Sequence, residues 1–140
     1  MSDTYLRGGC LCGGVRFELT EPPLGAGYCH CTRCQRRTGT AASAQVRVEP
    51  GAVAIVQGAE LVRDYHPPDG FVKSFCTGCG SALWSCLPGS DVPYSVRLGA
   101  FDADPGVRPS IRQFVDYAAP WEPLPDDGLR RYPESARRRD

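Results

Sequence analysis

The 140-residue chain has no net charge, because 16 basic residues face 16 acidic ones. General affinity for nucleic acid or an anionic membrane surface needs a basic excess or patch, so neither is expected as a partner. The C-terminal "ARRRD" is locally basic, but it is short and is expected to fray in solvent. Lysine is nearly missing, one residue against fifteen arginines, and no functional class follows from that bias. No apolar run approaches the ~18 residues of a membrane span. The opening "MSDTYLRGGC" lacks the apolar core and small-residue cleavage site of a secretory signal. A cytoplasmic location, with thiols kept reduced, is therefore the expectation. Also missing are internal repeats, low-complexity tracts and any helical pattern longer than two turns.

What is present points to β structure. Gly and Pro are abundant, 16 and 13 residues, which suits short strands joined by turns. "GVRFELT" alternates Val15, Phe17 and Leu19 with Arg16 and Glu18, the pattern of a half-buried strand. "AQVRVEPG" and "AVAIVQG" read as strands broken at Pro50-Gly51, and "ELVRDYH", "FVKSF", "SALWSCL", "VPYSVRLG" and "IRQFVD" follow as further strands. "EPPLGAG" reads as a turn-rich connector, and Gln35 to Thr38 as one helical turn stopped by Gly39. The expected class is mainly β, small antiparallel sheets with metal knuckles at their ends. One domain over 1–140 is expected, with a core of about 6–125 and a loose tail over 126–140. So small a core gains from bound metal.

Cysteine is plentiful: eight residues, seven of them in three tight groups. These are Cys10 and Cys12 in "CLC", Cys29, Cys31 and Cys34 in "CHCTRC", and Cys76 and Cys79 in "CTGC". In a reducing compartment CxC and CxxC spacings point to metal before disulfides. Zinc is the expected ion, because it takes soft thiolates tetrahedrally without redox chemistry. Two local pairs, one early and one late, can close a four-cysteine structural site, although spacing alone allows other pairings. Three cysteines leave a coordination position open, the pattern of a site that receives water or substrate. Three thiolates make zinc a weak Lewis acid, better suited to holding a further thiol as thiolate than to making hydroxide. The triple group thus points to chemistry on a small sulfur-containing substrate.

Taken together, "GGCLCGGVRFEL", "YCHCTRCQRRTG", "SFCTGCGSALW" and "RPSIRQFVDYAAPW" resemble the glutathione-dependent formaldehyde-activating enzyme family over residues 6 to 125. The resemblance implies a small zinc-bound β "tent" of the Mss4-like type and two zinc ions per chain. It implies a structural zinc on Cys10, Cys12, Cys76 and Cys79, and an exchangeable active-site zinc on Cys29, Cys31 and Cys34. The implied reaction is condensation of glutathione with formaldehyde to S-(hydroxymethyl)glutathione, a carbon–sulfur lyase activity. The alternative is a non-catalytic zinc module that binds protein or carries glutathione.

Around the triple group, Arg33, Arg36 and Arg37 are candidates for the carboxylates of glutathione, against the alternative of a solvated basic face. Thr38 and Gly39 are candidates for hydroxyl and backbone donors to the same ligand. His30 is expected to point away from the knuckle, with a fourth-ligand or proton-shuttle role as the alternative. His66, before two prolines, is expected on the surface. Cys86 reads as a buried thiol, or alternatively as a ligand that closes the second site or a reactive partner. Trp84 and Trp121 are expected in packing, and nothing separates Asp64 or Asp102 from ordinary surface acids.

Overall fold

A computed structural model describes residues 4–136. It contains two sheets. Strands β1 (Leu6–Gly9), β2 (Arg16–Leu19) and β5 (Val53–Gln57) form a three-stranded sheet in the order β1-β2-β5. The other sheet has eight strands. In chain order these are β3 (Gly25–Cys29), β4 (Ser43–Arg47), β6 (Val62–Tyr65), β7 (Val72–Cys76), β8 (Ala82–Cys86), β9 (Pro93–Arg97), β10 (Pro109–Gln113) and β11 (Arg130–Arg131). They lie side by side in the order β11-β10-β3-β4-β9-β8-β7-β6. Pairing is antiparallel except at β10, which runs parallel to both β3 and β11.

Period-two alternation builds the core. Val15, Phe17 and Leu19 point inward from the small sheet, and Val46, Val72, Trp84, Cys86 and Val96 from the large one, all at 2% exposure or less. Phe17 joins the layers, with its ring edge-on to Trp84 at 5.5 Å and to Phe101 at 5.8 Å. Such aromatic pairs add about 0.5–1.5 kcal/mol beyond the area they bury. The alternation read in "GVRFELT" is therefore the inner face of β2.

Two segments depart from the sequence expectation. "EPPLGAG", expected as a connector, runs into β3, where Gly27 permits close packing: a Cβ there would sit 2.7 Å from the Ile111 side chain of β10. The tail, expected to be loose over 126–140, is tied down in its described part. β11 extends β10, and the Phe114 amide donates to the Glu134 carbonyl at 2.9 Å. "ARRRD" falls largely at 137–140, outside the described residues. No helix among the described residues is long and apolar enough to cross a membrane.

Candidate metal centres and a neighbouring cleft

The three cysteine groups come together as two. The Sγ atoms of Cys10, Cys12, Cys76 and Cys79 lie within 4.8 Å of one another, and so do those of Cys29, Cys31 and Cys34. The first group grows from two strand ends. β1 of the small sheet runs into Cys10, and β7 of the large sheet ends at Cys76. The cluster thus staples the two sheets together. Its sulfur spacings, 3.6 Å for Cys10–Cys12 and 4.0 Å for Cys12–Cys76, bracket the ~3.8 Å edge of a tetrahedron with 2.3 Å metal–sulfur bonds. Backbone amides already point at these sulfurs: Val15 N–H at Cys10, Gly14 N–H at Cys12 and Gly78 N–H at Cys76, at 3.2, 3.4 and 3.3 Å. Amide donors of this kind stabilise thiolate charge. Hydrogen bonds from Ser81 and the Cys12 backbone hold the Cys79 thiol down at about 5. The donor set and its spacing fit a closed four-sulfur metal site.

The second group sits where β3 meets helix α1 (Thr32–Thr38). Cys29 is the last residue of β3, and Cys31 is the N-cap of the helix, its sulfur accepting from the Cys34 amide at 3.3 Å. One helical turn therefore brings Cys34 back to Cys31. The expected helical turn is a seven-residue helix, closed by Gly39 in the left-handed region at φ 71°. Gln35 braces the motif, donating to the carbonyls of His30 and Tyr117 at 2.8 and 2.9 Å. Cys29 and Cys34 are buried and Cys31 is half-buried. Hydrogen bonds from Cys29 and Cys31 pull the Cys34 thiol well down, while the same contacts push Cys29 up. The three sulfurs thus share protons that a metal ion would displace. Three clustered soft donors fit a thiolate-bound ion with a fourth position left to a ligand.

Neither histidine nor the eighth cysteine belongs to either group. His30 is buried and turns its Nε2 toward Arg112, 3.1 Å away. His66 is exposed. Cys86 is fully buried in the hydrophobic core beside Trp84. Trp121 is exposed and lines a 410 Å³ cavity with His30 and Arg112. Asp64 accepts from Ser74 at 2.6 Å, and Asp102 pairs with Arg16.

The three candidate arginines separate. Arg33 reaches outward to Asp69, at 2.7 Å, and Arg36 is exposed. Arg37 turns inward and donates to the Ser74 carbonyl at 3.4 Å. The Thr38 hydroxyl donates to the Cys34 carbonyl at 2.7 Å, and the Gly39 amide is committed to Gln35. Two cations that the motifs did not mark, Lys73 and Arg97, share this region, and both feel the charge on Cys34. Burial, with Arg37 beside it, pulls Arg97 down to about 10. Burial, together with Arg97, also lowers Lys73. A cleft of 660 Å³ opens beside the first centre, lined there by Cys10 and Ser81, and extends to Thr38, Ser43 and Arg97; Cys29, Cys31 and Cys34 themselves do not line it. That volume lies in the usual range for a small-molecule site, roughly 300–1,000 Å³.

The family model for "Glutathione-dependent formaldehyde-activating enzyme" matches residues 5–117. The chain belongs to this family. A Halomonas elongata protein, provisionally named a glutathione-dependent formaldehyde-activating enzyme, is 34% identical over 85 residues. That match covers 56% of this chain and 54% of the relative, so the chain spans about half the length of the curated relative it matches. A crystal structure of a Rhodobacter sphaeroides protein superposes with a TM-score of 0.54 at 25% identity, covering 91% of this chain and 99% of the other.

Proposed function

We propose that this chain binds a glutathione-type thiol at the Cys29/Cys31/Cys34 centre and accelerates its addition to formaldehyde or a related small aldehyde. The observation that carries this is the set of three clustered sulfurs, whose neighbours Thr38 and Ser43 line a cleft large enough for a tripeptide. Membership of the family supports the same chemistry. Both clusters suit zinc, the four-sulfur one as a structural ion. An ion at the three-sulfur centre would supply a site where an added thiol sheds its proton near neutral pH.

The chain's own residues do the rest. Cys29, Cys31 and Cys34 would hold the ion, with the N-cap geometry of Cys31 fixing the spacing between β3 and α1. Ser43, across from Cys29 in the sheet, and Thr38 place hydroxyls beside the centre and on the cleft wall. The reaction forms one carbon–sulfur bond. The carbonyl π pair moves to oxygen, and the proton lost by the thiol is made up there from solvent, giving a hydroxyl. Holding the two reactants together is the chief source of rate in such an addition.

The test is exchange spectroscopy on glutathione and formaldehyde, following S-(hydroxymethyl)glutathione formation with metal-loaded protein. Expected is an acceleration over the spontaneous reaction that grows in proportion to protein. Glutathione binding without any acceleration would reject the enzyme and leave a carrier.

A further inference from the structure

The eight-stranded sheet has a second inner face, and it is polar. Cross-strand register sets Lys73 of β7 opposite Ser85 of β8, Ser85 opposite Ser95 of β9, and Arg97 of β9 opposite Gln45 of β4. Ser43, two residues from Gln45, lies opposite Cys29 of β3. Paired residues share a face, so these side chains and Cys29 point to one side, away from the apolar core. Ser43, Ser85, Ser95 and Arg97 are all buried, and Arg37 reaches in from α1.

Three cations meet here. Lys73 Nζ and Arg97 Nη2 both approach one hydroxyl, Ser85 Oγ, at 3.4 and 2.7 Å. Arg97 Nη1 touches only the Gln45 amide oxygen, at 3.5 Å. The Nε atoms of Arg37 and Arg97 are buried with no hydrogen-bond partner among the described residues. None of the five ion pairs among the described residues involves Arg37, Lys73 or Arg97. Arg97 is buried and Arg37 and Lys73 are half-buried, and charge withdrawn from water without compensation is unfavourable, so the group favours an anion.

The cysteines supply part of that charge. Three thiolates around a divalent ion carry one net negative charge, against three positive charges on the cations. Two positive charges stay uncompensated beside the cleft that Arg97 lines. A bound thiolate neutralises one of them, and a carboxylate on the same ligand neutralises the other. Arg97 is the member of the group that lines the cleft, and a guanidinium there suits a ligand carboxylate.

We infer, resting on the thiol-binding function proposed above, that Arg37, Lys73 and Arg97 form a buried anion subsite that makes this centre select carboxylate-bearing thiols over neutral ones. Lys73 and Arg97 are the specificity-determining members, and Arg33 and Arg36 have no part in it.

Titration calorimetry of the metal-loaded protein with 3-mercaptopropionate and with 3-mercaptopropionamide tests this, because the two thiols differ mainly in charge. The carboxylate is expected to bind roughly tenfold tighter or better, as charge complementarity at a desolvated site allows. In Lys73→Gln and Arg97→Gln that preference should fall to near unity with bound metal retained, and Lys73→Arg should keep it. Lys73 is only half-buried, so its variants remain informative should Arg97→Gln fail to fold. Equal affinity for the two thiols in the native protein would overturn the anion subsite while leaving thiol binding intact. A preference that survives both glutamine changes would overturn it too. So would variants that lose metal instead of preference, since the cations would then serve only the cysteines. Failure of both thiols to bind would overturn the thiol-binding function itself, and the subsite with it.

Discussion

Replacing Cys76 with serine is expected to leave the chain largely unfolded and without tightly held metal at room temperature. Cys76 closes β7, is fully buried, and shares its cluster with Cys10 and Cys12 of the other sheet. Structural zinc in small domains is worth about 10–16 kcal/mol, so an even share for one of four sulfurs is roughly 2.5–4 kcal/mol. A hydroxyl left in that buried position costs about 1–3 kcal/mol more. Together these reach the lower part of the stability range of an ordinary domain, roughly 5–15 kcal/mol, which is where so small a core belongs. Near-ultraviolet circular dichroism and metal analysis of the purified variant check this. A cooperative, metal-bearing Cys76→Ser protein would show that the cluster does not staple the sheets.

Replacing Cys31 with serine should do the opposite. Cys31 acts on the fold as an N-cap, accepting from the Cys34 amide, and serine is among the best N-cap residues. The helix should therefore survive, with stability changed by about 1 kcal/mol or less. The hydroxyl is a poor replacement for a soft thiolate, so the second metal, thiol binding and all acceleration of the glutathione–formaldehyde reaction should be lost together. Thermal unfolding close to that of the native protein loaded only at its four-cysteine site, alongside a reaction rate equal to the spontaneous one, is the expected pair of results. A variant that still accelerates the reaction would place the chemistry elsewhere.

The contrast between these two cysteines shows where local sequence carries structural information. The CxxC turn, the helix stop at Gly39 and the inward stripe of β2 are local, and each can be read from a few consecutive residues. The division of seven cysteines into four and three is not local. It depends on two strand ends from different sheets meeting, and spacing alone leaves it open; the family resemblance supplied it. β1 and β3 were hidden because their glycines look like turn residues. In the fold those glycines serve close approach, Gly8 under the Phe17 ring and Gly27 beside Ile111. The tail could not be read as ordered because β11 owes its pairing to β10, reached only after the chain has folded.

The cationic face was invisible for the same reason. Lys73, Ser85 and Arg97 belong to three strands, and each looks like an ordinary polar position in an alternating segment. Alternation usually means that one face is solvated. Here Ser85, Ser95 and Arg97 are buried and Arg37 reaches across from α1, which turns routine polar positions into a charged site withdrawn from solvent. The arginines that sequence proximity favoured behave differently. Arg33 pairs with Asp69 on the surface, and only Arg37 of the three turns inward.

The central claim is that the ion at Cys29, Cys31 and Cys34 takes its fourth ligand from outside the chain. A crystal structure of the metal-loaded protein with glutathione tests it most directly, through the atoms bound to that ion. Expected are three protein sulfurs and the glutathione sulfur, each at about 2.3 Å. A fourth ligand from the polypeptide, or glutathione lying in the cleft with its sulfur away from the ion, would contradict it.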